Sequence, residues 1–416
     1  MIKTKELNNG IRLVTEYLPY VQSVAIGIWV KAGAVNEDEE TAGISHYVEH
    51  MMFKGTEKRS AKQIAEDIDK IGGQINAFTG KEATCYYVKA IRDNFESAAD
   101  VLVDMLTNSV LDSTEMDKER KVICEEIKMT LDSPDDLAHE TVTAMVFNGR
   151  NIGNSIIGTP ETLDRINRDV MKDYIKREYT REDIVVSVSG NFDEEEISAY
   201  FSDKFMSLEK SKKPFERKTA IYTPSYKSIV KDIEQSHICL CTDGIAIEDS
   251  RYFALAIINN VMGGSMSSRL FQNIREEKGL AYSVYSMAPS YSHDGYFNIY
   301  AGVSHDRIEE AIDGIRQEMM LLKENGITED ELASSREQLK AAYIFGQENV
   351  TGRMFKNGKN MLLLGKLYEA EEIISEFNKV TMDDIKEAEE LICDFDRYSA
   401  VVVSNKETDL ERIMKG

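Results

Sequence analysis

Apolar positions along this chain follow two periods, near two and near 3.6 residues, and the order in which the periods alternate occurs twice. The apolar strand VAIGIWVKAG (24–33) precedes a helical segment near 42–54, and HICLCTDGI (237–245) precedes another near 251–262. ATCYYVKAIRDNFESAADVLVDMLTN from Ala83 and GYFNIYAGVSHDRIEEAIDGIRQEMMLLK from Gly295 each read as an alternating strand that turns at an aspartate into an amphipathic helix. DSTEMDKERKVICEEI from Asp112 is answered by ITEDELASSREQLKAA from Ile327, and each copy closes on a strand, DIVVSVSGNFDEEEI from Asp183 and SAVVVSNKETDLERI from Ser399. The starts of the segments quoted by sequence stay 212 to 216 residues apart.

A repeat of that length predicts an α+β protein of two homologous domains, produced by internal duplication, each an antiparallel-rich sheet with helices packed on one face. Residues 1–210 make the first domain and 233–416 the second. The charged stretch 211–232, with two of the six prolines (Pro214 and Pro224), is the expected linker. A length of 416 residues agrees, being too long for one comfortable core. Near the start, Asn9-Gly10 predicts a hairpin turn between short strands.

Composition narrows the class. Apolar residues make up 42% and charged residues 30%, and no apolar run approaches the ~18 residues of a membrane helix, so a folded protein with no membrane partner is expected. Lys3, Lys5 and Glu6 occupy the place where a secretory signal needs its apolar stretch. Five cysteines without C-x-x-C spacing read as buried thiols in a reducing compartment, which makes the cytoplasm the expected location. A formal charge of −23 argues against nucleic acid as a partner, because phosphate binding needs lysine and arginine, and weakly favours cationic ones.

The segment GISHYVEHMMFKGT (43–56) holds two of the six histidines. Ala42, Ile44, Val48, Met51, Met52 and Phe53 make it a largely apolar helix, which Thr41 is placed to cap and Gly55 to end. His46 and His50, at i and i+4, stack on one face about a turn apart, the separation at which two imidazoles share a tetrahedral zinc. Glu49 borders the same site without having to bind metal. The order His-x-x-Glu-His inverts the commoner His-Glu-x-x-His with the roles unchanged. A third ligand is sought on the helix expected from about Ser113 to Leu131, where Met116, Glu119, Val122, Ile123 and Glu126 share one stripe. Glu125 falls on the polar side with Lys121 and Lys128, so Glu126 is the inward carboxylate. Glu119 is placed either to orient a ligand or hold the helix from behind the site, or to serve as an i,i+4 pair partner on the surface.

HYVEH followed 76 residues later by Glu126 resembles the inverted zinc motif of the pitrilysin and mitochondrial processing peptidase family of zinc metallopeptidases, the inverzincins. GGQINAFTGKEATCYYV (72–88), GTPETLDRI (158–166) and GGSMSSRLFQNIREEKGLAYSVYS (263–286) extend the resemblance over nearly the whole chain, and the length is similar to the short, two-domain processing-peptidase branch. The resemblance implies one zinc per chain, held by His46, His50 and Glu126, with Glu49 activating water. It implies that Asn76, Ala77 and Phe78 form an edge strand that pairs with extended substrate. Arg275 and Tyr282, seven residues apart in REEKGLAY, would reach the substrate from the opposite wall of a closed chamber. From the residues alone, INAFT also reads as an ordinary edge strand and Arg275 as a surface charge. The implied function is a zinc endopeptidase for extended or unfolded peptides, working as a homodimer; a non-catalytic peptide-binding or scaffold member of the same fold is the alternative.

Overall fold

The structure, a computed structural model, describes residues 2–210 and 218–415, so Pro214 and the expected linker up to residue 217 lie outside the described residues. By internal contacts the chain forms two compact units, one of Met1–Lys128, Asn154–Lys218 and Ile344–Glu369, the other of Met129–Gly153, Thr219–Tyr343 and Ala370–Gly416.

The first unit is built on a six-stranded sheet of β1 (Ile2–Glu6), β2 (Arg12–Tyr17), β3 (Ser23–Val30), β4 (Gln74–Thr79), β5 (Thr84–Ile91) and β6 (Ile184–Gly190), in the order β1-β2-β6-β3-β5-β4. The second has β7 (Tyr226–Val230), β8 (Ser236–Asp243), β9 (Ala281–Met287), β10 (Tyr296–Val303) and β11 (Ser399–Ser404), in the order β7-β11-β8-β10-β9. From β2 onward the two orders correspond strand for strand. One pair in each sheet is parallel, β2 with β6 and β7 with β11, and the other pairs are antiparallel. β3 and β8 start 213 residues apart, at Ser23 and Ser236, so the repeat read from periodicity is a repeat of topology. The Asn9-Gly10 turn joins β1 to β2 as expected.

One face of the first sheet packs on helices Ile44–Met52, Phe95–Asn108 and Arg168–Glu178 through Ile26, Ile28, Tyr47, Val48, Leu102 and Tyr174. Its other face is covered too. Helix Val350–Leu364 lies there, with Met361 and Leu362 beside Trp29 and with Val350 and Met354 beside Ala25. Gly27 and Gly358 allow this approach, since a Cβ on either would meet Met354 Sδ or Trp29 Nε1 at 2.2 Å. The second sheet has the matching arrangement, helix Pro134–Val146 on β8 and β11 opposite the face that packs on Tyr252–Gly263 and Ile308–Asn325. Each sheet thus takes a covering helix from the other half of the sequence. Strands buried on both faces need near-continuous apolar runs, and β3 has one. In β6 (IVVSVSG) the buried Ser187 hydroxyl is satisfied by donating to Met354 O of the covering helix at 2.9 Å.

Candidate metal centre

The motif helix spans Ile44–Met52, and its start is held differently from the sequence expectation. Thr41 bonds to Asp38, while the N-cap is Gly43 at φ +94°, a left-handed conformation with no side chain to offer. The capping acceptor is Glu37, wholly buried, which takes the N–H groups of Gly43 at 2.7 Å and Ser45 at 2.8 Å. Burial pushes the Glu37 carboxyl up to about 7, against the lowering effect of the Ser45 and Gly43 bonds. Gly158, at φ +71°, crosses this start so closely that a Cβ would lie 2.3 Å from Ala42 O. Thr162 Oγ1 donates to the same carbonyl at 2.7 Å. The helix ends at Met52 with Phe53 as its C-cap, two residues before Gly55.

On this helix the rings of His46 and His50 lie 4.6 Å apart, edge to face. Glu126, from helix Ser113–Asp132, brings Oε2 to 3.7 Å from His46 Nε2 and 3.6 Å from His50 Nε2. Zinc bonds of about 2.0–2.2 Å in a tetrahedron place neighbouring donors roughly 3.4 Å apart. The two Glu126–imidazole separations are within a few tenths of an ångström of that, and all three donor atoms lie within 4.8 Å of one another, a set that could hold a zinc ion. Among the described residues this is the one group of three or more His, Cys, Asp or Glu side chains able to hold a metal. Burial, then the neighbouring His50, lowers His46 to about 4, which keeps its ring neutral and able to ligate. Behind the site, Glu119 is buried, with Oε2 3.0 Å from His50 Nδ1 and Oε1 2.7 Å from Lys54 Nζ. Val122 departs from the expected inward stripe: it is 44% exposed, because the buried line runs Met116, Glu119, Ile123, Ile127 and leaves Val122 outside it.

Glu49, half-buried, accepts a hydrogen bond from Thr79 Oγ1 at the end of β4. Burial raises its carboxyl above the usual range, and the Thr79 bond works against that rise. β4 is an edge strand. Along it, Ile75 and Ala77 pack toward the motif helix, whereas Phe78 turns to the other face, with its ring 5.5 Å from Trp29 and 5.4 Å from Phe355. Asn76 Oδ1 accepts from the Ala77 amide at 2.8 Å. Arg275 and Tyr282 form their own pair in the second unit, the guanidinium 5.8 Å from the Tyr282 ring centre and 4.6 Å from that of Phe271. Tyr282, on β9, is 75% exposed.

Residues 12–160 match the family described as insulinase, peptidase family M16, and residues 165–339 the family described as the peptidase M16 inactive domain. The chain is 42% identical over 393 residues to "Uncharacterized zinc protease YmxG" of Bacillus subtilis (strain 168), covering 92% of this chain and 94% of that one. The chain belongs to peptidase family M16. An "Uncharacterized zinc protease" of Rickettsia felis is 37% identical over 91% of this M16 chain and 92% of its own. Two crystal structures share the M16 fold with a TM-score of 0.90: a protease from Helicobacter pylori, 20% identical over 97% of this chain and 99% of that one, and a peptidase M16 inactive domain from Pseudomonas fluorescens, 17% identical over 98% of each. The resemblance read from HYVEH therefore holds. In the second M16 copy, helix Tyr252–Gly263 (YFALAIINNVMG) has neither histidine nor glutamate.

Glu37, Lys54 and Thr79 escaped the sequence reading. Glu37 left one trace: a helix start at Gly43 lacking a capping side chain requires an acceptor from elsewhere. The five cysteines are free thiols, all buried but the half-buried Cys124. Among the described residues no helix is long and apolar enough to cross a membrane.

Proposed function

We propose that this M16 chain is a zinc-dependent endopeptidase that hydrolyses extended or unfolded peptides. The observation that carries the reading is the convergence of His46, His50 and Glu126 beside Glu49, in a chain whose relatives are called zinc proteases. A zinc ion held by those three side chains supplies Lewis acidity to a water and to the scissile carbonyl. Glu49 accepts the proton of the attacking water on the oxygen that Thr79 leaves open, and delivers it to the leaving amine. Glu119 holds His50 in the tautomer that turns Nε2 to the metal. A peptide adds as a strand to β4 along Asn76, Ala77 and Phe78, so that main-chain bonds fix the scissile bond and side-chain pockets choose sequence.

The proposal extends to a cytoplasmic homodimer with one zinc per chain. Residues 1–210 carry the metal chemistry, and Arg275 and Tyr282 of 233–416 donate hydrogen bonds to substrate bound at a partner copy, inside a closed chamber. Metal analysis with peptide digestion mapped by mass spectrometry tests the reading: about one zinc per chain and cleavage abolished by a chelator are expected. A zinc-loaded protein inert toward all unfolded peptides contradicts it.

A further inference from the structure

Two observations meet at Thr79. Its hydroxyl donates to Glu49 Oε2. Its main chain belongs to the open edge of the sheet, as the hydrogen-bond pattern shows. Gly80 N donates to Ala83 O at 2.9 Å, and Thr79 pairs with Thr84 in the β4–β5 register. In an antiparallel ladder the residues that bond to the neighbour alternate, so Phe78 and Asn76, in step with the Gly80 N–H, turn their N–H and C=O groups toward β5 while Thr79, Ala77 and Ile75 turn theirs outward. The bond from the Ala77 amide to Asn76 Oδ1 agrees with that assignment. β4 ends its sheet, with no further strand beyond it among the described residues.

We propose that Thr79 is a positioning residue that couples occupation of the β4 edge to the alignment of Glu49. The inference rests on the peptidase reading above and adds to it how the base is aimed. A glutamate has three rotatable bonds and no fixed orientation of its own. Threonine, branched at Cβ, is stiff at χ1, so its hydroxyl points where its backbone points. A peptide strand that pairs with the outward groups of Ala77 and Thr79 immobilises that backbone. The Thr79 hydroxyl then fixes one oxygen of Glu49 and leaves the other facing the water.

The test uses the full-length, zinc-loaded chain with Thr79→Val and Thr79→Ser, scored by kcat and KM on a flexible peptide, by zinc content, and by the Kd of the same peptide for the metal-free chain from fluorescence anisotropy. Thr79→Val should lower kcat roughly 10- to 100-fold, the effect of one hydrogen bond to a charged group, with KM, Kd and zinc content within about twofold of wild type. Thr79→Ser should recover most of the rate. Thr79→Ala makes the same comparison if the valine variant does not fold. An unchanged kcat without the hydroxyl overturns the proposal, as does a loss that serine leaves unrestored or that comes with equal losses of zinc or peptide binding. Absence of cleavage by the wild type itself is a different failure, that of the peptidase reading.

Discussion

The carboxylate of Glu119 lies 3.0 Å from Nδ1 of His50, on the side of the ring opposite the nitrogen that faces Glu126. Lys54 Nζ, 2.7 Å from the other oxygen, holds the carboxylate in place from its far side. Removing the carboxylate with Glu119→Ala should therefore weaken zinc binding by about 10- to 100-fold, read by competition against a chelator of known affinity. Unchanged affinity would make Glu119 a packing residue.

Glu37 sets a pH dependence of stability. Its carboxyl moves from 4.5 in the unfolded chain to about 7 when buried at the helix start. Between those values the folded state holds more protons than the unfolded one, so this contribution is full below about pH 4.5 and is lost as pH rises through 7, amounting to about 3 kcal/mol. The stability of wild type minus that of Glu37→Gln, from denaturant titrations of the metal-free protein, should fall by that order between pH 4.5 and 7.5. A difference that rises or stays flat contradicts the assignment.

Gly158→Ala should destabilise the first unit by about 2–4 kcal/mol, because its Cβ would lie 2.3 Å from Ala42 O at a backbone φ of +71°. The denaturation midpoint checks this. The same variant should lose zinc affinity, since Ala42 leads directly into the helix that holds His46. A loss under about 0.5 kcal/mol would mean that the two segments separate freely.

Much of this was legible in sequence, for physical reasons that differ by element. The duplication shows because each copy must repeat the same sequence of periods to build the same sheet, as β3 and β8 do. His46, His50 and Glu49 show because helical spacing fixes their face, and Glu126 because it sits beside an apolar stripe. Contacts that hydrophobic periodicity does not encode were hidden. Glu37 caps a helix six residues away through backbone groups, and Thr79 meets Glu49 across the gap between a strand and a helix. The covering helix Val350–Leu364 left only an indirect signal, the apolar run VAIGIWV of β3, which calls for a partner on each face.

Complementation tests the proposed sharing of sites in a homodimer. Mixing inactive Glu49→Gln with inactive Tyr282→Phe under conditions of subunit exchange should restore activity, because a mixed dimer assembles one site from an intact Glu49 and an intact Tyr282 on different chains. No recovery despite demonstrated exchange would assign Tyr282 to its own chain's metal or to none.

The central claim, that Glu49 acts as base beside a metal held by His46, His50 and Glu126, is tested most directly by peptide cleavage at matched zinc occupancy in wild type and Glu49→Gln. The account predicts about one zinc per chain in both proteins, chelator-sensitive cleavage by the wild type, and cleavage slowed at least about 10²-fold in the variant, whose amide fits but cannot take the proton. Equal rates at equal zinc content would contradict it.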